Sequence, residues 1–172
     1  GEMLGDHHLF RKSLAYEASA HIPFFLGGFN VDKTSAECDA LVCLEDIAPT
    51  LLALAGVEIP DGMDGVSLAP FVRGESPQVR DVLYGECMGF SHHYIVEGDF
   101  KYIWYAKTHE EQCFDLKKDP NETKDLSENT ELLEPFRKRL AEYLKDREEY
   151  DYQVDQLTPR RNQPPKVFWP NG

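Results

Sequence analysis

The stretch His93-Tyr-Ile-Val-Glu-Gly-Asp-Phe-Lys-Tyr-Ile-Trp-Tyr105 places two short runs of β-branched and aromatic residues on either side of a turn. The turn is Glu97-Gly98-Asp99, because a glycine beside acidic residues is typical of a tight hairpin. Runs of similar composition lie at Val82–Tyr84 and Gln112–Leu116. The pattern predicts a small antiparallel sheet of roughly four strands.

Helical periodicity marks a segment on each side of this predicted sheet. Between Cys43 and Gly56, leucine and isoleucine recur three or four residues apart, which predicts an amphipathic helix with Asp46 as its N-cap. The same spacing predicts one long helix over Thr130–Glu148, packed on the sheet. His21–Gly28 is apolar enough to predict a buried strand, and the proline-rich tail is predicted to lie across the surface.

The hydrophobic period changes near Ser76, from helical and buried-strand patterns to short alternating strands. We therefore expect two structural parts. Residues 1–75 form the end of an α/β domain. Residues 76–172 form a subdomain with the antiparallel sheet, the long helix and the tail.

Composition excludes several classes of protein. The chain has 172 residues, of which 41% are hydrophobic, so it can bury a core. Its formal net charge of −13 argues against binding to nucleic acid. No run approaches the roughly 18 apolar residues that a membrane-spanning helix needs. The four cysteines form no C-x-x-C pair that would indicate a zinc site.

Five short motifs follow one another in a recognisable order. The chain begins with a polar loop that is rich in histidine and basic residues, and the other four motifs lie further along. They are Gly1-Glu-Met-Leu-Gly-Asp-His-His-Leu-Phe-Arg-Lys12, Asp46-Ile-Ala-Pro-Thr-Leu-Leu52, Asp64-Gly-Val-Ser-Leu68, Lys101-Tyr-Ile103 and Phe114-Asp-Leu-Lys-Lys-Asp-Pro-Asn-Glu122. Together they resemble the C-terminal half of a formylglycine-dependent sulfatase of the alkaline phosphatase-like superfamily, over residues 1 to about 126.

The resemblance implies the fold class and the reaction. The expected fold is the C-terminal part of an alkaline phosphatase-like α/β sandwich, followed by a small α+β subdomain with an antiparallel sheet. The expected protein is a sulfuric ester hydrolase. Its formylglycine nucleophile and its divalent cation, usually calcium, would be supplied by the N-terminal portion of the same enzyme.

The nucleophile itself is not found in this sequence. The family makes formylglycine from the first residue of a C/S-x-[PA]-x-R motif. None of the cysteines has an arginine four residues later, and Ser76-Pro-Gln-Val-Arg80 has glutamine where the motif needs proline or alanine. The family's metal ligands also lie in segments upstream of Gly1. We therefore expect no metal ligand within these residues, no cofactor on this chain alone, and no turnover by it.

Three residues are candidates for the site. Lys12 matches the family lysine that contacts the sulfate, where an ammonium group stabilises the charge that spreads over the sulfuryl oxygens in the transition state. His7 matches the histidine of the family's G-[DE]-H motif and is expected to line the pocket. His93 lies on a predicted loop and strand start that could reach the substrate.

The expected substrate is a sulfate-ester small molecule or a sulfated glycan. Two other interpretations stay open from the residues alone. One is a phosphonate or phosphate monoester hydrolase on the same scaffold, which the nucleophile motif and metal ligands would distinguish. The other is a structural module without catalysis. Nothing in the residues indicates the cellular compartment.

Overall fold

The computed structural model describes residues 1–12, 14–28, 37–75, 79–87 and 92–146, with the backbone of 152–153 and 156–159. The helices are α1 Glu17–Ala20, α2 Ile47–Leu54, α3 Ala69–Val72 and α4 Thr130–Leu144, with short 3₁₀ turns at Asp6–His8 and Leu44–Asp46. The strands are β1 Val82–Cys87, β2 His92–Glu97, β3 Phe100–Tyr105, β4 Glu111–Asp115, β5 Tyr152–Gln153 and β6 Gln156–Pro159.

The predicted four-stranded sheet is present, with strand order β1-β2-β3-β4. The pairs β2/β3 and β3/β4 are antiparallel, and Ile95 lies opposite Tyr102 in the register. A two-residue turn joins β2 to β3, and Gly98 adopts φ 57°, which favours glycine because a side chain is strained there. The remaining strands, β5 and β6, form a separate two-stranded sheet.

Both faces of β3 are covered by other parts of the chain. Alternate side chains of a strand point to opposite faces, so Tyr102 and Ile103 lie on different sides of the sheet. On one face, Tyr102 stacks on Phe136 of α4 with ring centroids 5.8 Å apart. On the other face, Ile103 belongs to a buried cluster with Met3, Ala15, Tyr16 and Phe114. Met3, Ala15 and Tyr16 from the beginning of the chain therefore pack directly on the sheet.

Helix α4 begins where the sequence predicts. The Asn129 side chain caps it by accepting a hydrogen bond from the Leu132 N–H at 3.2 Å. Its apolar stripe is buried, including Leu133 and Leu140. Arg137 donates from Nε to Glu111 Oε1 at 2.7 Å, which ties the helix to β4. The helix ends at Leu144, four residues before the predicted end at Glu148, and Lys145 and Asp146 form a turn, while residues 147–151 lie outside the described part of the chain.

The chain divides into two compact units. One holds residues 1–23 and the chain from Tyr84 onward, and the other is Phe24–Leu83. The expected boundary near residue 75 concerns the domains of the parent protein, and it stays a prediction. In the described residues, no helix is both long and apolar enough to cross a membrane.

Of two local predictions for residues 21–54, one is wrong and the other holds for the position only. His21–Gly28 is not a strand, and its Phe25 side chain is 88% exposed, because an apolar run becomes a strand only where its backbone finds a partner. Asp46 occupies the predicted N-cap position of α2, but its side chain makes no capping hydrogen bond to that helix. Instead the Asp46 carboxylate turns back and accepts from the Cys43 N–H at 2.8 Å.

Asp46 is the centre of a buried cluster that joins two of the sequence motifs. Its Oδ1 accepts from the Val66 N–H at 2.8 Å, and Arg80 binds both carboxylate oxygens at 2.5 and 2.7 Å. The Thr50 hydroxyl donates to the Asp46 carbonyl and accepts from the Leu68 N–H. Burial alone would raise the pKa of Asp46, but Arg80 and the two N–H groups hold that pKa below its ordinary value.

Gly65 explains why the second of these motifs needs glycine. A Cβ atom built there would lie 1.9 Å from the Glu45 carbonyl oxygen, so no larger residue fits without moving the backbone. The motif around Asp46 and the motif around Gly65 are therefore two halves of one contact.

Candidate functional site

Residues 2–11 form a closed loop on the sheet. The Met3 N–H donates to the Arg11 carbonyl at 3.0 Å, and the Gly5 N–H donates to the Leu9 carbonyl at 2.8 Å. Met3 is buried, so the loop is anchored from inside. Leu4, His7, His8 and Arg11 all have φ between 47° and 71°, a region that residues with a side chain seldom adopt. Backbone strain of this kind is typical of functional loops.

Gly1 brings this loop against helix α1. A Cβ atom at Gly1 would lie 2.2 Å from the Ala18 carbonyl oxygen, so only glycine allows the approach. The next residue continues the contact, because the Glu2 N–H donates to the Ala18 carbonyl at 2.9 Å. The beginning of the loop therefore lies directly on the helix that follows it.

Lys12 is exposed at the end of the loop. The residue before it is held by Met3 through its carbonyl, and the Ala15 carbonyl three residues later accepts a hydrogen bond from Lys101 Nζ at 2.9 Å. Among the described residues, the Lys12 ammonium has no carboxylate within ion-pair distance. Lys12 thus lies between two held backbone groups, the Arg11 carbonyl before it and the Ala15 carbonyl after it.

His7 packs inside the loop region. Its ring stacks on Tyr16, with centroids 4.0 Å apart and planes 9° apart. Its Nε2 lies 3.1 Å from the Asn121 carbonyl oxygen, and since a carbonyl only accepts, the ring carries a proton on Nε2 there. These contacts hold His7 between the loop and the turn that follows β4.

A pocket of about 310 Å³ lies next to His7. Besides His7, its lining includes the titratable residues Asp6, Glu17, His21 and Glu122. Three carboxylates line this pocket and only two of them share an ammonium group, that of Lys101, so the lining is acidic, which disfavours a sulfate anion. Lys12 does not line it. The structure therefore brings His7, but not Lys12, to this pocket.

The floor of the pocket contains a buried charge network. Lys101 is fully buried, and its Nζ lies 2.5 Å from Glu17 Oε1 and 2.9 Å from Glu122 Oε1. Glu122 also accepts from the Glu17 N–H at 2.6 Å. Burial raises the pKa of Glu17, but the Lys101 ammonium and His21 outweigh that effect and leave the pKa below its ordinary value.

His93 lies away from this loop, in strand β2. Its side chain is 2% exposed and stacks on Trp104 at 5.9 Å, with Nδ1 3.8 Å from a Glu86 carboxylate oxygen. The neighbouring His92 is equally buried, and desolvation lowers its pKa to about 4. In the described residues both histidines belong to the packing of the sheet, and substrate contact by His93 stays a prediction.

Lys101 and Glu122 of the charge network lie in two of the sequence motifs and Glu17 lies in none, and the sequence predicted no role for any of the three. One signal was available, since Lys101 interrupts the otherwise apolar strand Phe100–Tyr105 and a lysine at such a position needs a buried partner. Within the described residues, no three side chains of histidine, cysteine, aspartate or glutamate converge on a metal site. This part of the chain therefore does not fit a cation by itself.

Comparison with known proteins places these features in a family. Residues 5–150 match the family model described as N-sulphoglucosamine sulphohydrolase, C-terminal. The chain is 41% identical over 157 residues to an arylsulfatase of Clostridium perfringens, covering 87% of this chain and 33% of that protein. It is 28% identical to a Delta 4,5-hexuronate-2-O-sulfatase of Bacteroides thetaiotaomicron, covering 84% and 33%.

A solved structure shows the same arrangement. A Bacteroides thetaiotaomicron protein described as a sulfatase superposes with a TM-score of 0.77 and 26% identity, covering 84% of this chain and 34% of that one. This likeness confirms the predicted fold class, the C-terminal part of an alkaline phosphatase-like protein with an antiparallel sheet. The chain spans about a third of the length of these relatives.

Proposed function

Since this chain belongs to the family of N-sulphoglucosamine sulphohydrolase C-terminal regions, we propose that it is the C-terminal part of an enzyme that hydrolyses sulfuric esters. The observation that carries the proposal is the family match over residues 5–150, which includes the loop that leads to Lys12. The activity is that of the whole protein, because the relatives are about three times as long as this chain.

Lys12 is the residue of this chain that we assign to the reaction. A sulfuryl group spreads negative charge over its oxygens as its ester bond breaks. A fixed ammonium group stabilises that charge more in the transition state than in the bound ester, and this difference raises the rate. The exposed position of Lys12, without a competing carboxylate in the described residues, supports this role.

We assign His7 to the wall of the pocket next to helix α1. We keep His93 as a candidate for substrate contact from β2. His7 is held by Tyr16 and Asn121, so its ring has a defined orientation. The catalytic nucleophile and the divalent cation are proposed to belong to residues outside these 172, supplied by the N-terminal portion of the enzyme. No step through either group is derived from this chain.

The substrate is proposed to be a sulfate-ester small molecule or a sulfated glycan. The names of the relatives support this range, since one is an arylsulfatase and another a hexuronate-2-O-sulfatase. The carboxylate-lined pocket beside His7 does not favour an anion, so the sulfate group is expected to lie on the Lys12 side of the loop.

The test uses the full-length protein that contains this chain. We expect release of the leaving group from an aryl sulfate, and Lys12→Ala should lower kcat by about 10²-fold, as for the loss of one transition-state donor. Lys107→Ala is the matched control, because Lys107 is an exposed lysine in the turn after β3. A preference for phosphate or phosphonate monoesters over sulfate esters would overturn the proposed substrate class. Wild-type kcat in Lys12→Ala would remove Lys12 from the reaction.

A further inference from the structure

The proposed function leaves two sequence motifs unexplained, and their side chains meet at the backbone of Ala15 and Glu17, shortly after Lys12 in the chain. Lys101 comes from the middle of β3, and Glu122 comes from the turn after β4. Their side chains lie 2.9 Å apart, and both are almost completely buried. Neither touches the Lys12 side chain, so their contribution has to pass through the backbone.

The backbone contacts of this pair lead to one place. Lys101 Nζ donates to the Ala15 carbonyl at 2.9 Å, and Glu122 accepts from the Glu17 N–H at 2.6 Å. On the other side of Lys12, the Arg11 carbonyl is held by the Met3 N–H. Lys12 therefore follows a held carbonyl at Arg11 and precedes backbone groups at Ala15 and Glu17 that Lys101 and Glu122 hold.

Burying one ammonium between two carboxylates is an expensive way to stabilise a core. The free energy needed to remove these ions from water is large, and apolar residues of the same volume often stabilise a core at least as well. Stability by itself therefore does not explain such a network. The network does fix the position of the backbone atoms that it binds, because charge-assisted hydrogen bonds have a defined geometry. Glu122 also adopts φ 53°, so the chain accepts backbone strain to place this carboxylate.

We propose that Lys101 and Glu122 are positioning residues for Lys12, holding the segment from which it reaches the sulfuryl group. This inference rests on the proposed role of Lys12. A misplacement of about 1 Å at a reacting group can cost up to about 10²-fold in rate, so loosening this anchor has a measurable effect without any lost contact to substrate.

The experiment is a double-mutant cycle in the full-length enzyme with an aryl sulfate. We expect Glu122→Gln to lower kcat about tenfold while KM stays close to wild type, because one of its two hydrogen bonds is lost. In a Lys12→Ala background the same substitution should cause no further loss of kcat. Glu111→Gln is the matched control, since Glu111 is another carboxylate paired with a basic side chain at this sheet, but it is only partly buried and binds Arg137 of α4. Its kcat should stay at the wild-type value.

Each outcome decides the inference. Loss of kcat by Glu122→Gln that persists in the Lys12→Ala background would overturn it, because the pair would then act on the fold rather than through Lys12. Wild-type kcat in Glu122→Gln would also overturn it, provided that Lys12→Ala is impaired. Wild-type kcat in Lys12→Ala removes Lys12 from the reaction and overturns this inference with it, whereas the proposed hydrolysis of sulfuric esters would stand. Should Glu122→Gln not fold, Glu17→Gln tests the same anchor, and an unchanged kcat there contradicts the inference.

Discussion

Replacing His92 by glutamine should make the folding of this protein less sensitive to acid. The His92 ring is 1% exposed, and burial lowers its pKa from 6.5 to about 4. The folded state therefore holds this histidine neutral, while the unfolded chain binds a proton below pH 6.5. Protons stabilise the unfolded chain, so stability is fully present above pH 6.5 and is lost as the pH falls towards 4.

The magnitude follows from the difference between the two pKa values. A shift from 6.5 to about 4 corresponds to about 3 kcal/mol when the protein is fully below both values. Between pH 7.5 and pH 5, linkage assigns about 2 kcal/mol of the loss in stability to His92. Glutamine has no titrating group, so the His92→Gln protein should lose about 2 kcal/mol less than wild type over that interval.

Urea denaturation at both pH values, followed by far-UV circular dichroism, measures this difference directly. His8→Gln serves as the control, because it makes the same replacement at a histidine that is exposed on the N-terminal loop. The comparison of slopes removes any constant effect of the substitution on packing. Equal losses of stability in wild type and His92→Gln between pH 7.5 and pH 5 would refute the reasoning.

Three further predictions concern the buried aspartate cluster, the glycine contact and the chain by itself. Asp46→Asn should lower the free energy of unfolding by about 2 kcal/mol, because it leaves the half-buried Arg80 guanidinium without its carboxylate, and a urea midpoint equal to wild type would contradict this. Gly65→Ala should cost about 1–3 kcal/mol by forcing a Cβ atom against the Glu45 carbonyl, whereas Gly27→Ala, which has open space around it, should stay within about 0.5 kcal/mol of wild type. The 172-residue chain alone should neither cleave an aryl sulfate nor bind calcium at a stoichiometric micromolar site in calorimetry, since such a site needs about six to eight converging oxygens; turnover that survives removal of contaminating hydrolases would show that the active site lies in this chain.

Local patterns were sufficient for most of the secondary structure. The alternation of apolar residues on both sides of Gly98 predicts the β2–β3 hairpin, and the three-to-four spacing predicts α2 and α4. Both periods follow from the local geometry of a strand or a helix, so a few neighbouring residues are enough to reveal them. The strand predicted at His21–Gly28 is wrong for the opposite reason. An apolar run indicates that a segment tends to be buried, but a strand forms only where a second segment offers backbone hydrogen bonds.

The site was predicted only in part. The motif resemblance led to Lys12 and His7, and the structure puts both in one anchored loop. The resemblance did not indicate that the loop packs on β3 through Met3, or that Lys101 binds the Ala15 carbonyl after the loop. A lysine inside an apolar strand is visible in the sequence, but its partners lie at residues 17 and 122 and cannot be read from spacing.

The sequence by itself determined the hairpin, the two longer helices, the family and the acidic character of this chain, because periodicity, motif order and net charge are local or additive properties. Tertiary structure alone decided which charges are buried together. Lys101 meets Glu17 from 84 residues earlier in the chain and Glu122 from 21 residues later. An ion pair inside a protein forms where folding removes water around two distant groups, and that removal depends on the packing of the whole unit.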